Sequence, residues 1–326
     1  MPDTMKAAVI HQAGGPEAIQ IERRPRPVPK SGQVLIQVKA FGINRSELFT
    51  RRGQSPGVAF PRILGIEAAG VVAQAPDGDF ATGDIVMTAM GGMGRQYDGG
   101  YAEYVCVPSG QVQKLETSLP WDVLGAMPEM LQTAWGSLFK ALQLKAGERL
   151  LVRGGTTSIG LAAAAIAKNQ GAFVIATTRN AAREDLLLDN GADQVVIDGG
   201  EIAAGVRAIH AEGVDKVLEL IGVTTLKDSL RCTRQQGLVC MTGIVGNQWS
   251  FEQFSPMEAI PSAVGLTVYS GGVAEFMETP LQALADDIAA GTLRLNIGRV
   301  FPLEDIVEAH RLMDANTASG KIVVLT

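Results

Sequence analysis

In the first third of the chain, apolar and β-branched residues come in short runs, at positions 7–10, 33–38 and 68–72, bounded by Gly, Pro and Asp. Runs of that kind predict strands. Pro25, Pro27 and Pro29 exclude a helix between the first two runs and predict an extended connection. This portion reads as a compact, mostly antiparallel β domain with few helices. After Pro120 the pattern changes to alternation. Short apolar runs at 149–152, 173–176, 194–197, 216–220 and 238–241 predict strands, and the Ala-rich stretch 159–170 and the segment 181–190 predict helices among them. Gly191 suits the C-cap of the second helix. Strands spaced by helices imply parallel βαβ units, hence an α/β protein with a doubly wound sheet. The tail is mixed, with a helix opening at 303–307 and a last strand at 321–325.

Glycine supplies 38 of the 326 residues, spread without a repeat, which suits an α/β protein with many tight turns and close backbone approaches. A net charge of −6 argues against nucleic acid as a partner, because phosphate contacts need clustered Lys and Arg. The richest basic cluster, Arg23-Arg24-Pro25-Arg26, is short and broken by proline, and reads as a solvated strand edge or turn. No apolar run approaches the ~18 residues of a membrane span. The opening Met1-Pro2-Asp3-Thr4-Met5-Lys6 carries no export leader. Cys106, Cys232 and Cys240 are far apart, so they read as buried thiols of a reducing, cytoplasmic protein with no disulfide framework.

The sharpest local chemistry lies at 150–160, Leu-Leu-Val-Arg-Gly-Gly-Thr-Thr-Ser-Ile-Gly, which runs directly into Leu161-Ala162-Ala163-Ala164-Ala165. A strand turning into a helix there presents unpaired N–H groups and a partial positive charge to a pyrophosphate. Gly155, Thr156, Thr157, Ser158 and Ile159 are therefore candidate cofactor-binding residues, and Gly160 permits close helix–sheet packing. A strict G-x-G-x-x-G would need glycine at 155, 157 and 160, and position 157 is threonine. A plain Gly-rich turn is the alternative. About 20 residues further on, NAD enzymes place a carboxylate for the ribose hydroxyls. Here the stretch is Thr177-Thr178-Arg179-Asn180 followed by Arg183, without a carboxylate. A guanidinium and hydroxyls suit a 2′-phosphate, which predicts NADPH. The alternative is an arginine that merely starts a surface helix.

The chain at 41–48 (Phe-Gly-Ile-Asn-Arg-Ser-Glu-Leu), 64–72 (Leu-Gly-Ile-Glu-Ala-Ala-Gly-Val-Val) and 98–105 (Asp-Gly-Gly-Tyr-Ala-Glu-Tyr-Val) resembles the zinc-independent quinone oxidoreductase branch of the medium-chain dehydrogenase/reductase superfamily. So do 133–138 (Thr-Ala-Trp-Gly-Ser-Leu), the turn at 154–160, and the ending 301–305 with 320–323. The resemblance implies a GroES-like β-rich catalytic domain, residues 1–122 completed by 271–326, and a Rossmann NADPH-binding domain at 123–270. It implies that cofactor and substrate meet in the interdomain cleft. It also implies a homodimer through the edge of the Rossmann sheet near Leu266-Thr267-Val268-Tyr269. Further cofactor contacts implied are Thr133, Ile221 and Gly222, Gly243-Ile244-Val245, and Tyr269 with Lys321.

Departures from relatives bear on the chemistry. Zinc alcohol dehydrogenases of the superfamily carry cysteine where this chain has Asn44, and Gly-His-Glu where it has Gly65-Ile66-Glu67. Asn44 is a poor zinc ligand and Ile66 is none, while a catalytic zinc needs about three protein ligands. The structural zinc lobe would need four close cysteines, and its region holds only Cys106. His11, His210 and His310 sit outside every block and read as surface or packing residues. No metal is expected. Asn44 is the first candidate to orient substrate or the nicotinamide ribose. A tyrosine often follows Arg-x-Gly in the next loop of the family. Here Arg51-Arg52-Gly53 leads into Gln54 and Ser55, which become candidate catalytic residues in its place. Glu47 and Glu67 read as structural, and Met90, Met93, Met127 and Met130 as pocket lining or, for the last two, core. Thr157 and Ser158 replace a glycine pair. Their hydroxyls could bond phosphate, but their Cβ atoms restrict the turn.

Without a Lewis acid, an enone or quinone is a better hydride acceptor than an isolated carbonyl, since conjugation spreads the charge. The sequence thus predicts an NADPH-dependent, metal-free reductase of a small-molecule quinone or α,β-unsaturated carbonyl. A 2-enoyl thioester reductase is one alternative. A non-catalytic NADPH-binding relative with a structural or RNA-binding role is another.

Overall fold

The structure is a computed structural model that describes residues 3–326. It divides into two compact units. The first comprises the chain up to Gln132 with Gly271–Ala290 and Ile297–Thr326; the second comprises Thr133–Ser270 with Gly291–Asn296. The division falls after Gln132, later than the composition change at Pro120. The reason is that helix Trp121–Ala126 packs on the first unit, with Gly125 so close to strand Gln33–Ile43 that a Cβ would lie 2.5 Å from that of Ala40. Within the tail, Thr292 and Arg294 are tied to Asn169 and Asp189 of the second unit.

The β runs of the first unit build two sheets. Strand Thr4–Ile10 lies between Ile19–Pro25 and Arg62–Ile63. The basic cluster thus falls at the end of a strand paired to Thr4–Ile10. The larger sheet runs in the order Ile297–Pro302, Lys321–Leu325, Gln33–Ile43, Glu67–Gln74, Ile85–Ala89, Val112–Leu115, with Tyr104–Pro108 also paired to Gln33–Ile43. Its pairings are antiparallel apart from the first. The last strand of the chain is thereby laid beside the first third, with Val323 opposite Gly42. An apolar core including Val9, Phe41, Tyr101 and Ile322 fills the interior.

The second unit is the doubly wound sheet that the alternating pattern predicts. Its six strands, all parallel, stand in the order Gln194–Ile197, Phe173–Thr178, Arg149–Arg153, Val214–Glu219, Thr233–Met241, Gly265–Val268. This is the 3-2-1-4-5-6 order of dinucleotide-binding sheets, with the Gly-rich turn leaving the strand from which the two halves wind outward. In the first unit, Met93, Met127 and Met130 are buried at 0–1% exposure, so these three are interior packing residues.

Of the three histidines, His310 is fully buried on helix Ile306–Ala315, where the Arg51 guanidinium donates to its Nδ1 at 3.0 Å. Burial, reinforced by Arg51, lowers its pKa to about 3. The folded protein therefore keeps this ring neutral while the unfolded chain takes up a proton near pH 6.5. Stability contributed by the neutral ring is complete above pH 6.5 and declines as pH falls below it. His310→Gln, which keeps an acceptor for Arg51, should flatten the fall in melting temperature between pH 7.5 and pH 5 relative to the wild type. Parallel slopes would refute this account.

Candidate active site

The Gly-rich turn joins strand Arg149–Arg153 to helix Ser158–Asn169. Gly154 takes φ +90°, which reverses the chain, and Gly160 lies against it: a Cβ at 160 would be 2.6 Å from the Gly154 carbonyl oxygen. Thr157 sits at the N-cap with φ −75°, an ordinary conformation for a β-branched residue, so threonine is unstrained where the motif has glycine. Its hydroxyl accepts from Gly160 N and donates to the Gly154 carbonyl, both at 2.9 Å. The Thr157 hydroxyl is thus engaged inside the turn. The N–H groups of Thr156, Ser158 and Ile159 have no acceptor among the described residues, and all three residues are half-buried. Orphan donors at the start of a helix fit an anion such as a pyrophosphate.

The predicted cofactor positions at 178–183, 221–222, 243–245 and 269 lie at or after the carboxyl ends of strands of the same sheet. Thr178 ends the second strand and is buried. Arg179 and Asn180 are exposed and Arg183 is half-buried. Neither arginine has an ion-pair partner among the described residues. Asn180 caps the following turn by accepting from Ala182 N at 3.0 Å. Ile221, with Gly222 after it, and Gly243, Ile244 and Val245 form two loops that pack together, joined by Gly246 N to Ile221 O at 2.8 Å. Tyr269 lies over Gly136, where a Cβ would fall 2.0 Å from the phenol oxygen; Gly136 opens the π-helical segment Gly136–Ala141 that follows Thr133.

Sequence reasoning missed what stands beneath this surface. Arg153, fully buried, donates from Nε and Nη2 to the two Asp198 oxygens at 2.9 and 3.0 Å, from Nη1 to Asp228 at 2.7 Å, and from Nη2 to Gly200 O at 2.7 Å. Burial opposes ionisation of Asp198, but Arg153 outweighs it and holds the carboxyl below the usual range. Asp198 N bonds Thr178 O, so this carboxylate stands beside the strand end that precedes Arg179. Glu219 accepts from Ile221 N and Gly222 N at 2.7 and 3.0 Å and shapes that loop.

In the first unit, Asn44 ends strand Gln33–Ile43 and starts helix Arg45–Arg51. Its amide Nδ2 donates to Glu67 Oε1 at 2.8 Å and to Glu47 Oε1 at 3.3 Å, so both N–H bonds are engaged. Lys321 Nζ donates to Asn44 Oδ1, lies 2.8 Å from Glu67 Oε1 and reaches Glu129 Oε2 at 3.5 Å. One amide oxygen and two carboxylates thus surround the ammonium. Lys321, 1% exposed, is consequently held by protein groups, not presented to a ligand as the family resemblance implied. Burial and the neighbouring Glu67 raise the Glu47 pKa to about 7. Burial alone would lower that of Lys321, but Glu67 and Glu129 raise it. Ser55 shares a 2.7 Å hydrogen bond with Thr50, whose own hydroxyl donates to Ser46 O, so Ser55 is the donor and its proton is engaged. The Gln54 side chain is exposed and has no partner among the described residues. Among the described residues no group of three or more His, Cys, Asp or Glu is arranged to hold a metal ion.

Thr157→Ala should lower stability by about 1 kcal/mol through loss of the cap, and Thr157→Ser should restore it, read by urea unfolding.

Two family models match the chain: one described as alcohol dehydrogenase GroES-like domain at 30–117, and one described as zinc-binding dehydrogenase at 190–324. The quinone oxidoreductase of Pongo abelii is 31% identical over 332 residues, covering 98% of each chain. A 2-haloacrylate reductase of Burkholderia sp is 27% identical over 98% of each chain. A mycobacterial protein solved complexed with NADPH superposes with TM-score 0.87 and 27% identity over 99% of this chain and 100% of its own. With the sheet order, the capped turn and relatives matched over nearly their whole length, the chain belongs to the quinone oxidoreductase family of the medium-chain dehydrogenase/reductase superfamily, and it is a nicotinamide-dependent oxidoreductase.

Proposed function

We propose that this oxidoreductase uses NADPH to reduce a quinone or another α,β-unsaturated carbonyl, and that it does so without zinc. The observation that carries the cofactor reading is the charge at the end of the second strand. Arg179 and Arg183 stand there unpaired among the described residues, while the adjacent carboxylate, Asp198, is bound on both oxygens by Arg153. Two available guanidiniums and a neutralised carboxylate favour a 2′-phosphate over free ribose hydroxyls. The similar mycobacterial protein that binds NADPH supports the same choice.

When bound, the cofactor supplies a hydride from C4 of its nicotinamide. The N–H groups of Thr156, Ser158 and Ile159 would hold its pyrophosphate. Among the three candidate catalytic residues, Gln54 is the one with a free donor, and it would hydrogen-bond the substrate carbonyl oxygen as charge develops there. A relative named for reducing a haloacrylate, itself an α,β-unsaturated acid, supports a conjugated acceptor. Asn44 and Ile66 stand where zinc relatives carry ligands. Asn44 is bonded to an ammonium, which a cation would have to displace. The model described as zinc-binding dehydrogenase covers neither position. Among the described residues, strand Gly265–Val268 pairs on one side only and leaves Val268 67% exposed, which supports a homodimer through that edge.

Arg179→Ala should raise the NADPH KM by about tenfold or more and leave that of NADH nearly unchanged, since a charge-assisted phosphate contact contributes about 1.5–3 kcal/mol. Equal losses would remove Arg179 as the phosphate ligand. Gln54→Leu should cut kcat/KM for 1,4-benzoquinone about tenfold with NADPH binding intact. A panel of quinones, enones and enoyl thioesters, assayed with both cofactors before and after exhaustive chelation, tests the whole reading. It fails if no acceptor oxidises NADPH, and the zinc-free part fails if chelation abolishes turnover.

A further inference from the structure

An asparagine amide can be built in either orientation, and its partners decide which one is real. Around Asn44 the decision is unambiguous. Glu67, ion-paired with Lys321, accepts, and an ammonium only donates. The NH2 group must therefore face Glu67, with Glu47 Oε1 beside its second N–H, and Oδ1 must face Lys321. By donor and acceptor count, Asn44 has one position beyond these three side-chain partners, the second lone pair of Oδ1.

The lock is assembled from distant parts of the chain. Lys321 comes from the last strand, Glu67 from strand Glu67–Gln74, and Gly42 from the strand between them. Gly42 provides the room: a Cβ there would lie 2.1 Å from Lys321 Cε and 2.4 Å from Glu67 Oε1. Glu67 Oε1 receives both Asn44 and Lys321, and Oε2 accepts from Glu129 N at 2.7 Å. Glu67 and Lys321 are 0% and 1% exposed, whereas Asn44 retains 8%. The solvent-reachable member of the cluster is the amide whose direction the other two set.

We propose that Lys321 and Glu67 are positioning residues that fix Asn44 as a hydrogen-bond acceptor, so that the ligand group it receives is a hydroxyl. It does not receive a carbonyl oxygen. This rests on the nicotinamide-dependent reductase reading above. A hydroxyl could come from a ribose of the cofactor or from the reduced product. The two sources separate by experiment, because only the first affects NADPH binding in the absence of an acceptor.

Four forms would be compared by thermal melting, NADPH fluorescence titration, and kcat and KM with the best acceptor of the panel: wild type, Asn44→Leu, Lys321→Met/Glu67→Gln, and Asn44→Asp/Glu67→Gln. The second double variant keeps the cluster's charge while making position 44 an obligate acceptor. The first removes the Lys321 ammonium and the Glu67 carboxylate together, so that neither is left without the other. We expect Lys321→Met/Glu67→Gln to fold yet lose about tenfold or more in kcat/KM, and Asn44→Asp/Glu67→Gln to recover most of what Asn44→Leu loses. Loss of NADPH affinity in Asn44→Leu identifies the ribose hydroxyl; loss confined to turnover identifies the product hydroxyl. The proposal is overturned if the folded Lys321→Met/Glu67→Gln form matches wild type, or if Asn44→Asp/Glu67→Gln is as impaired as Asn44→Leu, which would mean that the amide N–H serves the ligand. A wild type that oxidises no NADPH would instead remove the reductase reading.

Discussion

The buried ion pair between Lys321 and Glu67 is the interaction on which the first unit depends. It joins the last strand of the chain to the first third, and so completes a unit whose sequence is interrupted by the whole nucleotide-binding fold. Two ions taken out of water are costly unless every remaining donor and acceptor is met. Here Asn44, Glu129 and the Glu129 backbone N–H meet them. Removing one ion alone from such a pair typically costs about 3–5 kcal/mol. The absence of a side chain at Gly42 is what makes the pair geometrically possible.

The second unit repeats the device with a different cation. Arg153, at the end of the central strand, directs its guanidinium at Asp198, Asp228 and the Gly200 carbonyl, and thereby ties its own strand to the segments that follow two others. Its position immediately before Gly154 places this rigid support under the turn that would carry the pyrophosphate. The same bonds neutralise Asp198 beside Thr178. One arginine therefore supports both the shape of the nucleotide surface and its charge. A lysine could not make the paired contact to Asp198, because only the planar guanidinium matches a carboxylate with two parallel donors.

Much of this was legible in the chain. The alternation after Pro120 places five of the six parallel strands, since strand and helix periodicities differ sharply, and misses Gly265–Val268. The run 150–160 locates the turn, and Thr157 stands out as a departure from the glycine motif. Its consequence depends on the folded turn: the Thr157 hydroxyl completes the helix cap and so is not offered to phosphate. Likewise Asn44 and Lys321 are each legible in the sequence, but separately. Nothing in their spacing indicates that they bond each other, and the contact spans 277 residues.

By itself the sequence determined the fold class, the site of the Gly-rich turn and the basic residues at the second strand end. Those features follow from local periodicity, turn chemistry and side-chain charge, which adjacent residues specify. Only the tertiary structure decided which polar groups remain open to a ligand. A carboxylate such as Asp198, or an amide such as Asn44, has a fixed number of donors and acceptors. How many remain free depends on partners that the topology brings from distant strands.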